Sequence, residues 1–228
     1  NIELPKKARK LYDEMEREYI VQHRNGTVVA ANAGVATQKL RQACNGGMYL
    51  TDRRLVKGER PFVQLHDEKC ADLVDLLDEL NGEPALISYE FGMDRTILQR
   101  YFQQHAKQYL DSPFIGGKTK DKDVTRYLRR WNQGRYSAMF GNMASIAHGL
   151  NLQEGRGGIV VFYAFTYNFE DYDQFLRRIW RQGQKRRVLG YHLIVSNSVD
   201  EDQIASMRIK NRNQNTLFKA MERRHGFR

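Results

Sequence analysis

Five short apolar runs, separated by stretches of helical periodicity, limit the folds open to this chain more than any other feature. They are PALISYEF (84–91), SPFIGG (112–117), YSAMFGN (136–142), IVVFYAF (159–165) and VLGYHLIV (188–195). Runs that are apolar almost throughout, rather than alternating, belong to strands covered on both faces. Between them lie HDEKCADLVDLLDEL (66–80), with Leu73, Leu76, Leu77 and Leu80 on one side, and DRTILQRYFQQHAKQY (94–109), with Asp94 as its cap. DKDVTRYLRRWNQG (121–134) turns Val124, Tyr127, Leu128 and Trp131 inward, and further helices are expected over 171–182 and 200–224. Strands alternating with helices predict an α/β domain, a mainly parallel sheet wound on both faces by right-handed crossovers. The loops after Tyr89, Ile115, Gly141 and Ala164 should then share one edge, where such sheets bind ligands.

The amino-terminal quarter reads differently. Leu4, Ala8, Leu11, Tyr12, Met15 and Tyr19 recur at three- and four-residue steps and predict a helix over 4–23. A loop follows over 25–33, then a helix from Val35 to Cys44, stopped by Asn45-Gly46-Gly47. Residues 51–64 read as a polar, basic connector. The expected division is a helical extension and connector over 1–60 and the α/β domain over 61–228.

Composition narrows the partners. Lys and Arg number 37 against 27 Asp and Glu, a net charge of +10. Such a balance favours polyanions, nucleic acid above all, though a merely basic soluble protein carries the same charge. Two cysteines, Cys44 and Cys70, make no disulfide framework and fit a reducing compartment. The six histidines stand apart from one another and from the cysteines, so no metal site is expected. No apolar run has membrane-spanning length and no signal peptide is visible, so an intracellular location, cytoplasmic or nucleoid and nuclear, is expected. The chain begins with Asn1 rather than Met, as expected of a piece of a longer protein.

The segment QFLRRIWRQGQKRR (174–187) mixes the most apolar and the most charged residues of the chain. On a helical wheel Gln174, Arg178 and Arg181 fall within about 60° of arc. Phe175, Leu176, Ile179 and Trp180 fall on the opposite side, as a face expected to anchor the helix to the sheet. Guanidinium groups in one row repel each other and suit a partner with concentrated negative charge, such as the phosphates of a nucleotide.

Gln174, Arg178, Arg181, Gly183 and Gln184 match the spacing Q-x-x-x-R-x-x-R-x-G-Q. This resembles the sixth helicase motif of the Swi/Snf family of superfamily-two ATP-dependent DNA translocases. Other segments follow in the family's order. LRQACN (40–45) resembles L-R-x-x-C-N, PALISYEF its fourth-motif strand, and SIAHGLNLQ (145–153) its A-G-G-x-G-L-N-L. TYNFEDYDQ (166–174) resembles the linker between its fifth and sixth motifs, and the likeness spans residues 35 to about 210.

The resemblance implies a RecA-like three-layer α/β/α lobe, the second of two lobes that close over ATP and Mg2+. The phosphate loop and the magnesium carboxylate would belong to the first lobe, which is not in this sequence. Arg181 would be the arginine finger, with Arg178 beside it on the phosphates and Gln174 orienting the pair. Gly149 and Asn151 of the GLNL turn, with Gln184, would complete the nucleotide side. Gly116, Gly117 and Lys118, with Ser145 and His148, would touch the backbone of double-stranded DNA without reading its sequence. The isolated chain would not hydrolyse ATP.

Two other readings stay open. One is a passive basic nucleic-acid-binding α/β module with no motor role. The other makes Gly117-Lys118-Thr119 the end of a phosphate loop, which would need glycine at the position of Ser112 and a glycine-rich nest where SPFI reads as strand.

Overall fold

The computed structural model describes residues 1–24, 30–50, 60–146, 150–155, 157–166 and 168–209, with the backbone only for 19–24 and 30–33. The five apolar runs form one sheet. Strands β3 (Ala85–Tyr89), β4 (Phe114–Ile115), β5 (Ala138–Asn142), β6 (Ile159–Phe162) and β7 (Leu189–His192) lie in the order β4-β5-β3-β6-β7. Every neighbouring pair is parallel, with Ile87 opposite both Phe140 and Val161.

Side chains alternate across this sheet with period two. Ala85, Ile87, Tyr89, Ala138, Phe140, Ile159 and Val161 join one core. Leu86, Met139, Val160 and Phe162 join the other. The first core is covered by α1 (Lys6–Arg24), α2 (Ala30–Cys44), α3 (Glu68–Glu79) and α4 (Gly92–His105). The second is covered by α5 (Asp121–Asn132), the single turn α6 (Met143–Ile146), α7 (Phe169–Leu176) and a final helix over 199–209. This is the three-layer arrangement expected from the sequence. Trp131, 1% exposed, anchors α5, and its indole N–H donates to the Leu152 carbonyl at 3.1 Å. No described helix is long and apolar enough to cross a membrane.

The amino-terminal helices pack on the first core. Ile2 makes an isolated parallel bridge with Val195, and the Tyr12 hydroxyl accepts from the Val199 amide at 2.8 Å. Arg9 donates to the Ser196 and Asn197 carbonyls at 2.6 and 3.0 Å. The stretch expected as a connector contains β2 (Phe62–Gln64), which pairs antiparallel with β1 (Gly47–Tyr49). Three-residue strands carry too short a pattern to separate from coil by period alone. Residues 51–59, the rest of that connector, and 210–224 of the expected final helix lie outside the described residues.

A polar network is buried where α2, α3, α4 and the end of β6 meet. The Lys69 ammonium, 1% exposed, lies 2.7 Å from the Asp200 carboxylate. It also donates to Asn45 Oδ1 at 3.0 Å and the Tyr163 carbonyl at 3.2 Å. The Tyr163 hydroxyl donates to the Asn45 carbonyl at 2.9 Å. Asp94 stands in the first turn of α4, three residues beyond the Phe91 cap position, rather than at the cap as expected. Its Oδ2 accepts from the Phe91 and Glu90 amides at 2.9 and 3.1 Å and from the Asn45 amide group at 3.2 Å. Its Oδ1 is buried without a hydrogen-bond partner.

Burial pushes the Asp94 carboxyl up to about 7. The folded chain therefore holds a proton there that the unfolded chain has released, and Asp94 weakens folding as pH rises from about 4 to about 7. Asp94→Asn keeps the acceptor and removes the titration, while its NH2 leaves orphaned donors at a cost of about 1–3 kcal/mol. Urea unfolding should show wild type ahead of the variant at pH 5, with the gap narrowing toward pH 8. The two thiols are chemically quiet: Cys44 and Cys70 are free, buried and each pushed up to about 12 by that burial.

Candidate functional site

Two groups of the residues singled out in the sequence come together, at different ends of the sheet. The first group lies at the carboxyl ends of β4 and β5. Gly116 follows β4, and its amide donates to Thr119 Oγ1 at 2.9 Å while its carbonyl accepts from the Thr119 amide at 2.8 Å. This closes a tight turn that exposes Gly117 and Lys118. A Cβ on Gly116 would stand 2.4 Å from the Tyr89 hydroxyl, so a larger residue there would have to push that hydroxyl aside. A Cβ on Gly117 would stand 3.8 Å from Ser145 Oγ, which puts this turn beside α6. Ser145 donates to Asn142 Oδ1 at 3.2 Å, and Asn142 in turn donates to the Glu90 carbonyl at 2.9 Å. The turn thus presents a glycine backbone, a lysine and a serine on one edge. His148, assigned to the same contact surface, lies outside the described residues.

The second group gathers at the end of α7. The helix does not run to residue 182 as expected; it ends at Leu176, with Arg177 as its carboxyl cap. Tight bonds follow, from the Arg178 amide to the Phe175 carbonyl at 3.1 Å and from the Ile179 amide to the Leu176 carbonyl at 3.2 Å. Three guanidinium groups within one helical turn oppose continued i,i+4 stacking, and Ile179, fully buried, draws the chain inward. Gly183, at φ +100°, completes the reversal. The expected apolar face is corrected at one position. Phe175 and Ile179 are buried, but Trp180 is 57% exposed, with the Arg177 guanidinium 5.7 Å from its ring centroid.

The arginines are held individually. Arg181 donates to Asn151 Oδ1 at 2.8 Å, which joins the GLNL turn to the arginine segment. Arg178 is half-buried; its Nε donates to the Gln174 carbonyl at 3.2 Å, and its own carbonyl accepts from the Leu152 amide at 3.3 Å. Burial, and then the neighbouring charge of Arg181, lower the Arg178 pKa from its ordinary value. Gln174 therefore holds Arg178 through its backbone, while its side-chain amide donates to Glu170 at 3.2 Å. Gln184 ties the segment to the sheet: its Nε2 donates to the Gly157 carbonyl at 3.1 Å, and its Oε1 accepts from the Arg186 amide at 3.0 Å. Gly149 lies outside the described residues.

These anchors leave an open recess of about 950 Å³, lined by Arg177, Arg178, Trp180, Arg181, Arg186 and Arg187 among others. Two of its arginines are ion-paired, Arg177 with Asp173 at 2.5 Å and Arg186 with Glu83 at 2.8 Å. The recess lies beside the amino ends of β6 and β7, away from the Gly116–Gly117 turn. Its cations suit polyphosphate. Among the described residues no three His, Cys, Asp or Glu side chains gather as a metal-ligand set. Arg186 and Arg187 were not singled out in the sequence, although they follow the motif directly.

Fold and site together define a RecA-like α/β fold with an arginine-lined recess at the end of α7. No family model matches the chain. It is 31% identical over 229 residues to protein p41 of Acyrthosiphon pisum secondary endosymbiont phage 1, covering 98% of this chain and 45% of that protein. It is 24% identical over 228 residues to the human SWI/SNF-related matrix-associated actin-dependent regulator of chromatin subfamily A member 1, covering 90% of this chain and 21% of that protein. The chain thus spans less than half the length of either curated relative. Among solved structures it is similar to the C-terminal part of the Fun30 ATPase domain, with a TM-score of 0.53 and 24% identity over 63% of this chain and 48% of that one. It is also similar to S. cerevisiae Dbp5 bound to RNA and ADP BeF3, with a TM-score of 0.52 and 13% identity over 62% of this chain and 35% of that one.

Proposed function

We propose that this chain is the second motor lobe of an ATP-dependent DNA translocase or helicase of the Swi/Snf type. The observation that carries this reading is the Arg181 guanidinium, tethered to Asn151 at 2.8 Å beside Arg178 in an open basic recess. A finger of this kind acts by meeting negative charge that grows on transferring phosphate. ATP, with its Mg2+, would be held mainly by a first lobe facing the recess. Bound there, it would supply the phosphate whose transfer to water powers the opening and closing of the two lobes. In this chain Arg181 would stabilise the charge, Arg178 would fix the phosphates, and Asn151, Gln174 and Gln184 would keep both arginines aimed. Gly149, from the same motif as Asn151, would complete the nucleotide side.

Gly116, Gly117, Lys118, Ser145 and His148 would contact the backbone of duplex DNA. Backbone amides, a lysine and a hydroxyl bind phosphate oxygens without reading bases, so affinity should fall steeply with salt. Residues 1–60 are assigned to the extension and connector and 61–228 to the lobe. Further support comes from the relatives: Fun30 contributes the C-terminal part of an ATPase domain, and Dbp5 is bound to RNA and a nucleotide.

The isolated chain should show no ATP hydrolysis above buffer, with or without DNA, in a phosphate-release assay. Hydrolysis by the isolated chain would instead favour Gly117-Lys118-Thr119 as a phosphate loop, against the tight turn at Gly116. In the two-lobe protein, Arg181→Ala should abolish DNA-stimulated hydrolysis and leave DNA binding almost intact. A passive basic module would lose binding alone.

A further inference from the structure

We propose that Trp180 is the stacking platform for the base of a nucleoside triphosphate whose phosphates lie along Arg178 and Arg181. The inference rests on the reading of the arginine site given above and adds the base to it. Of the two tryptophans, Trp131 is sealed in the second core and Trp180 is 57% exposed. Arg177 sits 5.7 Å from the centroid of the Trp180 ring, and its own pairing with Asp173 at 2.5 Å anchors that side. A large ring held in this way lines the recess at little entropic cost. Around it stand Arg178, Arg181, Arg186 and Arg187. A ligand matching both features carries several negative charges and a flat aromatic group.

A nucleotide is favoured over a strand of nucleic acid on two grounds. The recess, at about 950 Å³, is within the size range of small-molecule sites. The glycine turn assigned to the nucleic-acid backbone lies at the opposite end of the sheet, beyond β4 and β5. Stacking on tryptophan is tolerant of base identity, because every base has a π-face. Trp180 would thus hold the base without selecting it, and any choice of ATP over GTP would fall to the first lobe.

The test uses the two-lobe protein and three variants, Trp180→Ala, Trp180→Phe and Arg181→Ala. The emission difference between wild type and Trp180→Phe isolates Trp180, whatever other tryptophans the protein has. ATP should quench that difference signal, and inorganic tripolyphosphate, which lacks a base, should not. Trp180→Ala should raise KM for ATP about tenfold, or about 1.4 kcal/mol, with a much smaller change in kcat. Trp180→Phe keeps a ring at an exposed position, so folding is not at stake, and KM should stay within about threefold of wild type. If KM in Trp180→Ala matches wild type while Arg181→Ala abolishes hydrolysis, the stacking role is overturned and the motor reading stands. A Trp180 signal that responds to an oligothymidine and not to ATP also overturns it, and assigns the face to single strands. If Arg181→Ala hydrolyses ATP normally, the motor reading fails, and the quenching experiment still decides whether a base stacks on Trp180.

Discussion

Arg181→Ala in the two-lobe protein lowers DNA-stimulated ATP turnover by about 10³-fold or more, the range in which arginine fingers act. Duplex affinity, measured by fluorescence anisotropy at fixed salt, should change by less than about threefold, since one arginine at the other end of the sheet from the turn proposed to bind the DNA backbone contributes little to a many-contact interface. The size of the kinetic effect follows from where the charge is needed. Phosphoryl transfer leaves the protein little covalent work, so positioning and charge stabilisation carry the rate. Arg181→Lys should recover only part of the loss, because an ammonium cannot replace the planar fork. Asn151→Ala provides the sharper control. It removes no charge but releases the Arg181 guanidinium from its 2.8 Å tether. A misplacement of about 1 Å costs up to about 10²-fold, so turnover should fall by about 10- to 100-fold. Equal turnover in Asn151→Ala and wild type would show that the tether is incidental.

Lys69→Met destabilises the fold by about 3–5 kcal/mol, the cost of stripping one partner from a buried ion pair. The ammonium is 1% exposed and serves three acceptors: Asp200 at 2.7 Å, Asn45 Oδ1 at 3.0 Å and the Tyr163 carbonyl at 3.2 Å. Methionine fills most of the volume but leaves all three without that donor. The Asp200 carboxylate, 3% exposed, then keeps only its weaker partners, such as the Val195 amide at 3.2 Å. Thermal unfolding should shift down by about 6–20 °C for a domain of this size. Lys69→Met combined with Asp200→Asn should recover part of the loss, since no full charge is left buried and alone. The cycle of the two singles and the double isolates the coupling. Strict additivity would show that the pair does not act as a unit.

The sheet was legible because its strands are covered on both faces. Ile159–Phe162 is a continuous apolar run, and its alternate residues are divided between the two cores. The helices α3 and α5 were legible for the related reason that their apolar residues recur at helical spacing. Positions governed by tertiary contact were not. The α7 wheel assumed one regular helix through residue 182, but burial of Ile179 and crowding of the arginines end it at Leu176 and leave Trp180 outside. Lys69 reads as one more charge on a surface helix; nothing local reveals that Asp200, more than a hundred residues later, will meet it. The pairing of β1 with β2 was hidden for want of length. Among the site residues, the family resemblance implied a shared role for Asn151 and Arg181; what the structure adds is the hydrogen bond between their side chains. The role of the Gln174 backbone, in place of its amide, left no trace in the letters.

The early end of α7 also decides what carries the arginines. Arg178 and Arg181 sit not on a helix but on a short loop between Leu176 and Gly183. That loop is fastened at several points: Ile179 is buried between the two arginines, the Arg178 carbonyl accepts from the Leu152 amide at 3.3 Å, and Gln184 is pinned to Gly157 at 3.1 Å. A body docking against this side would meet charged heads whose mounting is fixed to the sheet rather than to the helix before it.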